Sequence, residues 1–258
     1  MTKKIKLNRK KIKSPDEFLT LTGRFLNWVG AHRVPILAAF AGVAVAALIA
    51  AGVVALLTQR QGKALDAMAE ADDLYRAPLE QARSAKSEEG AAKPAMTPDE
   101  AVAKYKEAAG KYVAVADRYA HSDAGKLSLL YAGDAYFRAG EIAESIGAYE
   151  KFVRVYSGNP LLKGVGYEGL GYAYEAKGEF AQAAEAFEKT VDPSEKVTRP
   201  FGLLNAARCR TEAGDPTKAI SLYEQFLQEY PDSELKAVAS ERLAALKAGV
   251  GAPQQAGS

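Results

Sequence analysis

The pattern of apolar and polar positions divides the chain at residues 34–57. This stretch reads VPILAAFAGVAVAALIAAGVVALL, 24 residues without a charged or hydrogen-bonding side chain. A helix of that length is about 36 Å long, and the hydrocarbon core of a bilayer is about 30 Å thick. The pattern therefore predicts one transmembrane helix over residues 34–57, with some length to spare for tilt. A cleaved signal peptide is disfavoured, because the segment before the apolar run and the run itself are both longer than the corresponding regions of signal peptides.

A second helix is predicted over residues 14–33, immediately before the apolar stretch. It begins with a capping box and an early proline, in the letters SPDE of residues 14–17. Apolar side chains then recur at helical spacing, at Phe18, Leu21, Phe25 and Val29. We expect this amphipathic helix to lie in the membrane interface, with Phe25 and Trp28 at headgroup depth. It is either a docking helix for a membrane partner or a plain interfacial anchor.

Beyond residue 98 the helical pattern becomes repetitive. Three segments read KYVAVADRY (111–119), AYEKFVRVY (148–156) and LYEQFLQEY (222–230), each with two tyrosines seven residues apart. A fourth segment, AFEKTVD (186–192), has phenylalanine at the first tyrosine position. The first aromatic residues are Tyr112, Tyr149, Phe187 and Tyr223, which are 37, 38 and 36 residues apart. A period in this range predicts a solenoid of stacked helix pairs.

These segments resemble the tetratricopeptide repeat, whose nominal period is about 34 residues. The resemblance is strongest over residues 167–187, which read YEGLGYAYEAKGEFAQAAEAF. It implies that small residues lie where the two helices of a pair cross, at Gly133, Gly171 and Ala207. It also implies that the first helix of each pair ends at a glycine in the left-handed conformation. These terminating glycines are Gly140, Gly178 and Gly214.

The predicted fold is all-α, with a single transmembrane helix followed by an α-solenoid. We expect a basic tail over residues 1–13, the amphipathic helix over 14–33, the transmembrane helix over 34–57, a tetratricopeptide repeat domain over 58–249 and a disordered tail over 250–258. The repeat domain has about four repeats and a solvent-facing capping helix over 232–249. Its first helix presents an apolar face with Leu65, Met68, Tyr75 and Leu79. Loops are predicted over 86–98 and 192–200.

Charge is unevenly distributed along the chain. Residues 1–33 contain nine lysines and arginines and two acidic residues, whereas the whole chain has a net charge of +2. A basic tail beside a span favours membrane lipid as a partner and not nucleic acid. The positive-inside rule predicts a cytoplasmic N-terminus and a repeat domain on the other side. The charges nearest the span are almost balanced, with Arg24 and Arg33 before it and Arg60, Lys63 and Arg76 after it.

Residues that carry chemistry are scarce. The chain has two histidines, His32 and His121, and one cysteine, Cys209, so we expect no metal site, no catalytic constellation and no cofactor. The letters GVGYEG at residues 164–169 match the G-x-G-x-x-G dinucleotide pattern. They lie within a predicted helix and do not follow a strand, as that pattern requires. We therefore predict a binding protein and no enzymatic activity.

Protein binding is predicted on the concave face of the solenoid, which the first helix of each pair lines in proteins of this kind. By this resemblance the groove residues are Leu130, Asp134, Phe137, Arg138, Glu168, Tyr172, Glu175, Leu204, Arg208 and Thr211. Their mixture of aromatic, aliphatic and charged groups suits an extended or helical peptide; a merely solvated face is the alternative. Small residues four apart also predict a helix contact within the membrane; a row that arises only from the alanine-rich composition of the span is the alternative. The small residues are Ala38, Gly42, Ala46 and Ala50.

The layout of the whole chain resembles that of the ancillary Sec-translocon subunit family. The resemblance rests on the segment PDEFLTLTGRFLNWVG (15–30) before the span and on the repeat motif after it. It implies a bacterial inner-membrane protein with a periplasmic repeat domain, which associates with the translocon and with membrane-anchored periplasmic chaperones of the prolyl-isomerase type. The alternative is a structural envelope scaffold for cell-division or outer-membrane assembly complexes, whose repeat ends the segment YPDSELKA (230–237) resembles.

Overall fold

The computed structural model describes residues 17–87, 96–190 and 198–251. These residues contain no strand and form ten helices, which confirms the all-α prediction for them. The helices are α1 (Glu17–Ala31), α2 (Arg33–Ser87), α3 (Pro98–Arg118), α4 (Asp123–Arg138), α5 (Ile142–Val155), α6 (Pro160–Ala176), α7 (Phe180–Glu188), α8 (Arg199–Glu212), α9 (Pro216–Glu229) and α10 (Lys236–Gly251). The chain divides into two units, Met1–Thr58 and Gln59–Ser258. Four segments lie outside the described residues. They are the predicted basic tail together with the helix start at residues 14–16, residues 88–95 and 191–197, which fall mostly in the predicted loops, and the C-terminal tail from residue 252.

The N-terminal unit contains α1 and the part of α2 up to Thr58. Large apolar side chains on this part of α2 are exposed, among them Val34, Phe40 and Leu48. Exposing apolar surface to water costs about 25 cal/mol per Å². Because so many apolar side chains are exposed, an apolar surrounding would stabilise this part of α2. By length and composition, α2 can cross a membrane. On α1, Phe25 and Trp28 are also exposed.

The C-terminal unit stacks its helices in pairs. The part of α2 from Gln59 packs on α3, α4 packs on α5, α6 on α7 and α8 on α9, and α10 follows against α9. In the first pair the buried stripe is Ala64, Met68 and Ala71. The prediction of Leu65 on this face is wrong, because Leu65 is 53% exposed. Residues at positions i, i+4 and i+7 share a helix face, and Ala64, Met68 and Ala71 pack with residues of α3 in two core clusters.

The aromatic residues that define the repeat period form the core of the solenoid. Tyr112, Tyr149, Phe187 and Tyr223 are each at most 5% exposed. They lie on the second helix of the four successive pairs. Each therefore fills the same place in its repeat, and the sequence period corresponds to the structural period.

The predicted helix crossings at Gly133 and Gly171 are confirmed. A Cβ atom on Gly133 would lie 2.7 Å from the ring of Tyr149, and one on Gly171 would lie 2.7 Å from the ring of Phe187. Both distances are too short for real Cβ contacts. The glycines therefore allow the aromatic ring of the second helix to lie directly on the backbone of the first helix.

The G-x-G-x-x-G letters of residues 164–169 lie inside α6 and have a packing explanation. A Cβ atom on Gly166 would overlap the ring of Phe152, and one on Gly169 would overlap the ring of Tyr149. Both rings belong to α5 in the preceding pair. Gly164, by contrast, has no atom within 4 Å of its Cβ position. Two of the glycines thus serve the stacking of consecutive pairs.

A Schellman motif ends α4, α6 and α8, as the terminating glycines predict. At the end of α4, Gly140 has φ +76° and the N–H of Glu141 donates to the carbonyl of Tyr136 at 2.9 Å. Gly178 and Gly214 have φ +83° and +76°. A residue with a Cβ atom is strained in this conformation, so the turn between the two helices of a pair requires glycine.

Two helices begin inside segments that the sequence analysis assigned to loops. Helix α3 follows a capping box, in which the Thr97 hydroxyl accepts from the N–H of Glu100 at 3.2 Å and the Glu100 carboxylate accepts from the N–H of Thr97 at 2.8 Å. The letters TPDE at residues 97–100 carry this signal. Helix α8 begins at Arg199 with a proline in its first turn.

The capping helix α10 differs from its prediction in two respects. It begins at Lys236 and not at residue 232, because residues 231–235 form turns and the Ser233 hydroxyl accepts from the N–H of Leu235 at 3.2 Å. It is also not wholly solvent-facing. Its apolar side packs on the cluster around Tyr223 and Phe226, through Ala239, Leu243 and Leu246.

An ion pair links the beginning of α8 to the end of α9. The guanidinium of Arg199 donates twice to the carboxylate of Glu229, through Nε at 2.6 Å and Nη2 at 2.7 Å. The side chain of Arg199 is 10% exposed. The hydrogen bonds from Arg199 lower the pKa of Glu229 to about 2.

The pH dependence of stability tests this pair. A carboxyl whose pKa is lowered by folding stabilises the folded state above its unfolded pKa, and this stabilisation is lost as the pH falls through the folded pKa. For Glu229 the window runs from 4.5 down to about 2. We expect Glu229→Gln to lower the melting temperature at pH 7 by about 2–4 °C, and we expect this difference to disappear only below a pH of about 2. Circular dichroism melts of the full chain in detergent measure the difference, and a gap that stays constant with pH would contradict the assignment.

Candidate protein-binding groove

The first helices of the three pairs that follow α3 present equivalent positions in rows. The crossing residues Gly133, Gly171 and Ala207 set the alignment of α4, α6 and α8. One row contains Leu127, Val165 and Phe201, and the next contains Leu130, Glu168 and Leu204. The following rows contain Tyr131, Gly169 and Asn205, and then Asp134, Tyr172 and Arg208. Each row runs from one repeat to the next along the same side of the solenoid.

A groove of about 340 Å³ lies between α4 and α6. Five of the predicted site residues line it, namely Leu130, Asp134, Phe137, Glu168 and Tyr172. Leu130 is only 7% exposed, so it forms the floor and offers little surface to a partner. The groove thus brings together two consecutive repeats.

Sequence reasoning missed four aromatic or aliphatic side chains of this groove. Tyr75 of α2, Tyr131 of α4, Tyr149 of α5 and Val165 of α6 also line it. Tyr131 and Val165 are 41% and 39% exposed, and Tyr172 beside them is 38% exposed. Tyr131 and Val165 could have been found by aligning the first helices of the repeats. Nothing in the sequence, by contrast, places Tyr75 next to α4.

The carboxylate of Asp134, at one end of the groove, already accepts hydrogen bonds from neighbouring side chains. The hydroxyl of Tyr75 donates to the carboxylate of Asp134, and Nε of Arg138 donates to the same carboxylate at 2.9 Å. The guanidinium of Arg138 also lies 5.5 Å from the ring centroid of Tyr75. Burial, and then the neighbouring Asp134, raise the pKa of Tyr75. The predicted residues Asp134 and Arg138 therefore serve first to hold α2 and α4 together.

The second acid of the groove, Glu168, has a different environment. Its side chain is half-buried, and burial raises its pKa, with a hydrogen bond from Tyr172 opposing the rise. Among the ion pairs of the described residues none involves Glu168, whereas Asp134, Glu175 and Glu229 each have an arginine. Glu168 is therefore a partly desolvated carboxylate that faces a groove without a cation of its own.

The predicted residues toward α8 bridge repeats. Nη2 of Arg208 donates to the carboxylate of Glu175 at 2.7 Å, and Nη1 donates to its other oxygen. The amide of Asn205 donates to the hydroxyl of Tyr172 at 3.1 Å. Leu204 is half-buried against the cluster around Leu203. Most of these contacts hold α6 and α8 in register.

Arg208 and Thr211 also line a separate cavity, of about 580 Å³, with residues of α9 and α10. This cavity and the α4–α6 groove do not share a lining residue. The predicted residues therefore do not form one site. Five line the groove and two line the cavity, whereas Arg138, Glu175 and Leu204 line neither.

Metal-ligating and nucleophilic groups are the remaining candidates in the described part of the chain. In that part, no cluster of histidine, cysteine, aspartate and glutamate side chains could hold a metal ion. Cys209 is buried, and burial raises the pKa of its thiol to about 11, so the thiol is protonated at neutral pH. The small residues Ala38, Gly42, Ala46 and Ala50 are exposed on α2, and the helix contact through them stays a prediction.

A protein-family model matches two of the helix pairs. The tetratricopeptide repeat family model matches residues 127–159 and 202–233, which correspond to the α4–α5 and α8–α9 pairs. The pair between them, α6–α7, has the strongest resemblance by motif but is not among the matched residues. No curated protein matches the chain significantly in sequence.

Some solved structures with helical repeats have a partial likeness to this chain. TPR-like repeats of a kinesin light chain from Podosopora anserina have a TM-score of 0.47 and 20% identity, over 58% of this chain and 80% of that chain. BtubC (BKLC) from P. vanneervenii has a TM-score of 0.39 and 14% identity, over 78% of this chain and 96% of that chain. At these values the likeness carries no conclusion about this chain.

The two matched repeats and the helix pairs of the C-terminal unit together support a tetratricopeptide-repeat protein. Each pair buries one face on its neighbours, and the stack leaves continuous surfaces on which such repeats bind other proteins. The fold is typically a non-catalytic scaffold. The class therefore points to protein partners.

Proposed function

We propose that the protein is a membrane-anchored adaptor that binds other proteins through the groove between α4 and α6. The observation that carries the proposal is the group of exposed Tyr131, Val165 and Tyr172 around this groove. Aromatic side chains are enriched in the energetically dominant parts of protein interfaces. Exposed apolar side chains that cluster, rather than lie singly, mark interaction surfaces.

The proposed location is the bacterial inner membrane. The exposed apolar part of α2 supports a single span, and the basic residues before it support a cytoplasmic N-terminus with the repeats in the periplasm. The resemblance to the ancillary Sec-translocon subunit family supports a role at the translocon, in secretion or in periplasmic protein quality control. The alternative is a scaffold for cell-division or outer-membrane assembly complexes, which the segment at residues 230–237 supports.

Affinity purification of the tagged full chain in mild detergent tests the proposal. We expect a Tyr131→Ser, Tyr172→Ser double variant to recover at least about tenfold less partner than the wild type, because interface tyrosines each contribute on the order of 2 kcal/mol. The matched control is Val155→Ser on α5, a residue of similar exposure outside the groove (40%).

The identity of the partner separates the two roles. Translocon subunits or periplasmic chaperones among the groove-dependent proteins would support the first role, and cell-division or outer-membrane assembly proteins would support the second. Equal recovery by the double variant, the control and the wild type would contradict binding through this groove.

A further inference from the structure

We propose that the groove between α4 and α6 receives a basic side chain of a peptide partner, which pairs with the carboxylate of Glu168. This inference rests on the proposed protein-binding function and specifies the chemistry of the partner. Three observations support it. Glu168 is an acid in a row that has leucine in the other repeats, it has no cation beside it among the described residues, and the side chains around it are aromatic or aliphatic.

The row that contains Glu168 has leucine in the repeats on either side. Leu130 on α4 is buried, and Leu204 on α8 is half-buried. An apolar side chain thus fits the backbone geometry at this place in two of the three repeats. Helix stacking does not require a carboxylate there, so the charge of Glu168 has no evident structural purpose.

The charge of Glu168 has a cost that several other partly buried acids of the fold avoid. Glu188 pairs with Arg210 at 2.7 Å and Asp134 with Arg138 at 2.9 Å. Within the described residues, Glu168 has the hydroxyl of Tyr172 but no lysine or arginine. An ionised carboxylate that is desolvated without a cation destabilises the folded state. A ligand that brings the cation removes this cost, and residues destabilised in this way are characteristic of binding sites.

The surroundings of Glu168 suit a long basic side chain. The exposed parts of Tyr131, Val165 and Tyr172 provide aromatic and aliphatic surface along the groove. Lysine and arginine bury their aliphatic stems on such surface while the charged end finds a polar partner, and tyrosine faces attract cations. The other acid of the groove, Asp134, is already engaged by Arg138. Glu168 is therefore the acceptor for the incoming charge.

Peptide arrays with the purified full chain in detergent test this pairing. Immobilised decapeptides share flanks drawn from leucine, phenylalanine, tyrosine and serine, and differ at one central residue, which is lysine, arginine, norleucine or glutamate. We expect the wild type to bind the lysine and arginine peptides at least about tenfold more tightly than the norleucine peptides, since breaking a desolvated charge pair costs more than 1.4 kcal/mol. The glutamate peptides should bind weakest.

Two variants and a control separate recognition from folding. Glu168→Leu should lose the preference for basic peptides and melt no lower than the wild type, because the neighbouring repeats contain leucine in this row. Glu168→Gln should also lose the preference while keeping the shape of the side chain. Glu185→Gln, an exposed acid on α7, should keep the preference.

The possible contrary results distinguish failure of the pairing with Glu168 from failure of the proposed adaptor function. Equal or better binding of norleucine peptides by the wild type, a retained preference in Glu168→Leu, or a strongly lowered melting temperature in that variant would overturn the inference. If no peptide binds while groove-dependent partners still co-purify, the pairing with a basic side chain is wrong and the adaptor function stands. If neither peptides nor partners bind, both fail.

Discussion

Replacing Phe187 with alanine is expected to lower the free energy of unfolding of the repeat unit by about 3–5 kcal/mol, the usual cost of removing a buried phenylalanine ring. The ring is fully buried and belongs to the cluster that joins α7 to α8, with Ala183, Ala206 and Cys209. It also lies edge-on to Tyr172, with ring centroids 5.0 Å apart. The substitution therefore removes contacts both within a repeat and between repeats.

The contact between Phe187 and Gly171 adds a sharper test. Gly171→Ala alone should destabilise the chain, because its Cβ atom would lie 2.7 Å from the ring. In the Phe187→Ala background the ring is absent, and alanine should then stabilise the helix by up to about 1 kcal/mol relative to glycine. The two substitutions are expected to be strongly non-additive, as residues in contact are.

Urea unfolding of the full chain in detergent, followed by circular dichroism at 222 nm, measures the cycle. Gly164→Ala is the matched control in the same helix, since its Cβ position has no atom within 4 Å. It should stabilise the chain in both backgrounds by the same amount. Additive effects of Gly171→Ala and Phe187→Ala would contradict the crossing contact.

Introducing two arginines at the centre of the apolar stretch is expected to abolish stable insertion in the membrane. Val45 and Ala46 lie at the middle of residues 34–57, and each arginine at the centre of a span costs about 2.5–3.5 kcal/mol. Extraction of membranes with alkaline carbonate measures insertion. The wild type should stay in the membrane pellet, and the Val45→Arg, Ala46→Arg variant should appear in the supernatant.

The matched control replaces the same two residues with leucine, which should leave the protein in the pellet. A wild type that is itself extracted by carbonate would contradict a membrane span. A C-terminal alkaline-phosphatase fusion tests the side of the membrane, because this enzyme is active only after export. An inactive fusion, with a cytosolic reporter active in its place, would overturn the proposed periplasmic location.

The candidate groove was only partly predictable from the sequence. The resemblance to tetratricopeptide repeats led to Asp134, Glu168 and Tyr172, because the first helix of each repeat carries the concave positions. The same reasoning included Glu175 and Arg208, which bind each other between α6 and α8. It omitted Tyr75, whose contact with Asp134 joins residues 59 positions apart. No local pattern carries information about a partner at that separation.

The sequence by itself determined the features that depend on local chemistry. The apolar stretch, the repeat period, the buried aromatic positions and the glycines that end the first helices all follow from residue type and spacing. Burial of a periodic apolar face and the left-handed turn impose the same local requirement in every repeat. These features therefore follow from the sequence of each repeat taken by itself.

Only the tertiary structure decided which polar groups are paired and which side chains remain exposed. Leu65 looks like a core residue in its helix and is exposed, whereas Ala64 beside it is buried. Asp134 and Glu168 are both acids on first helices, yet one has an arginine and the other has none. These outcomes depend on how neighbouring helices stack, since the angle and distance between pairs determine which side chains come within reach of each other.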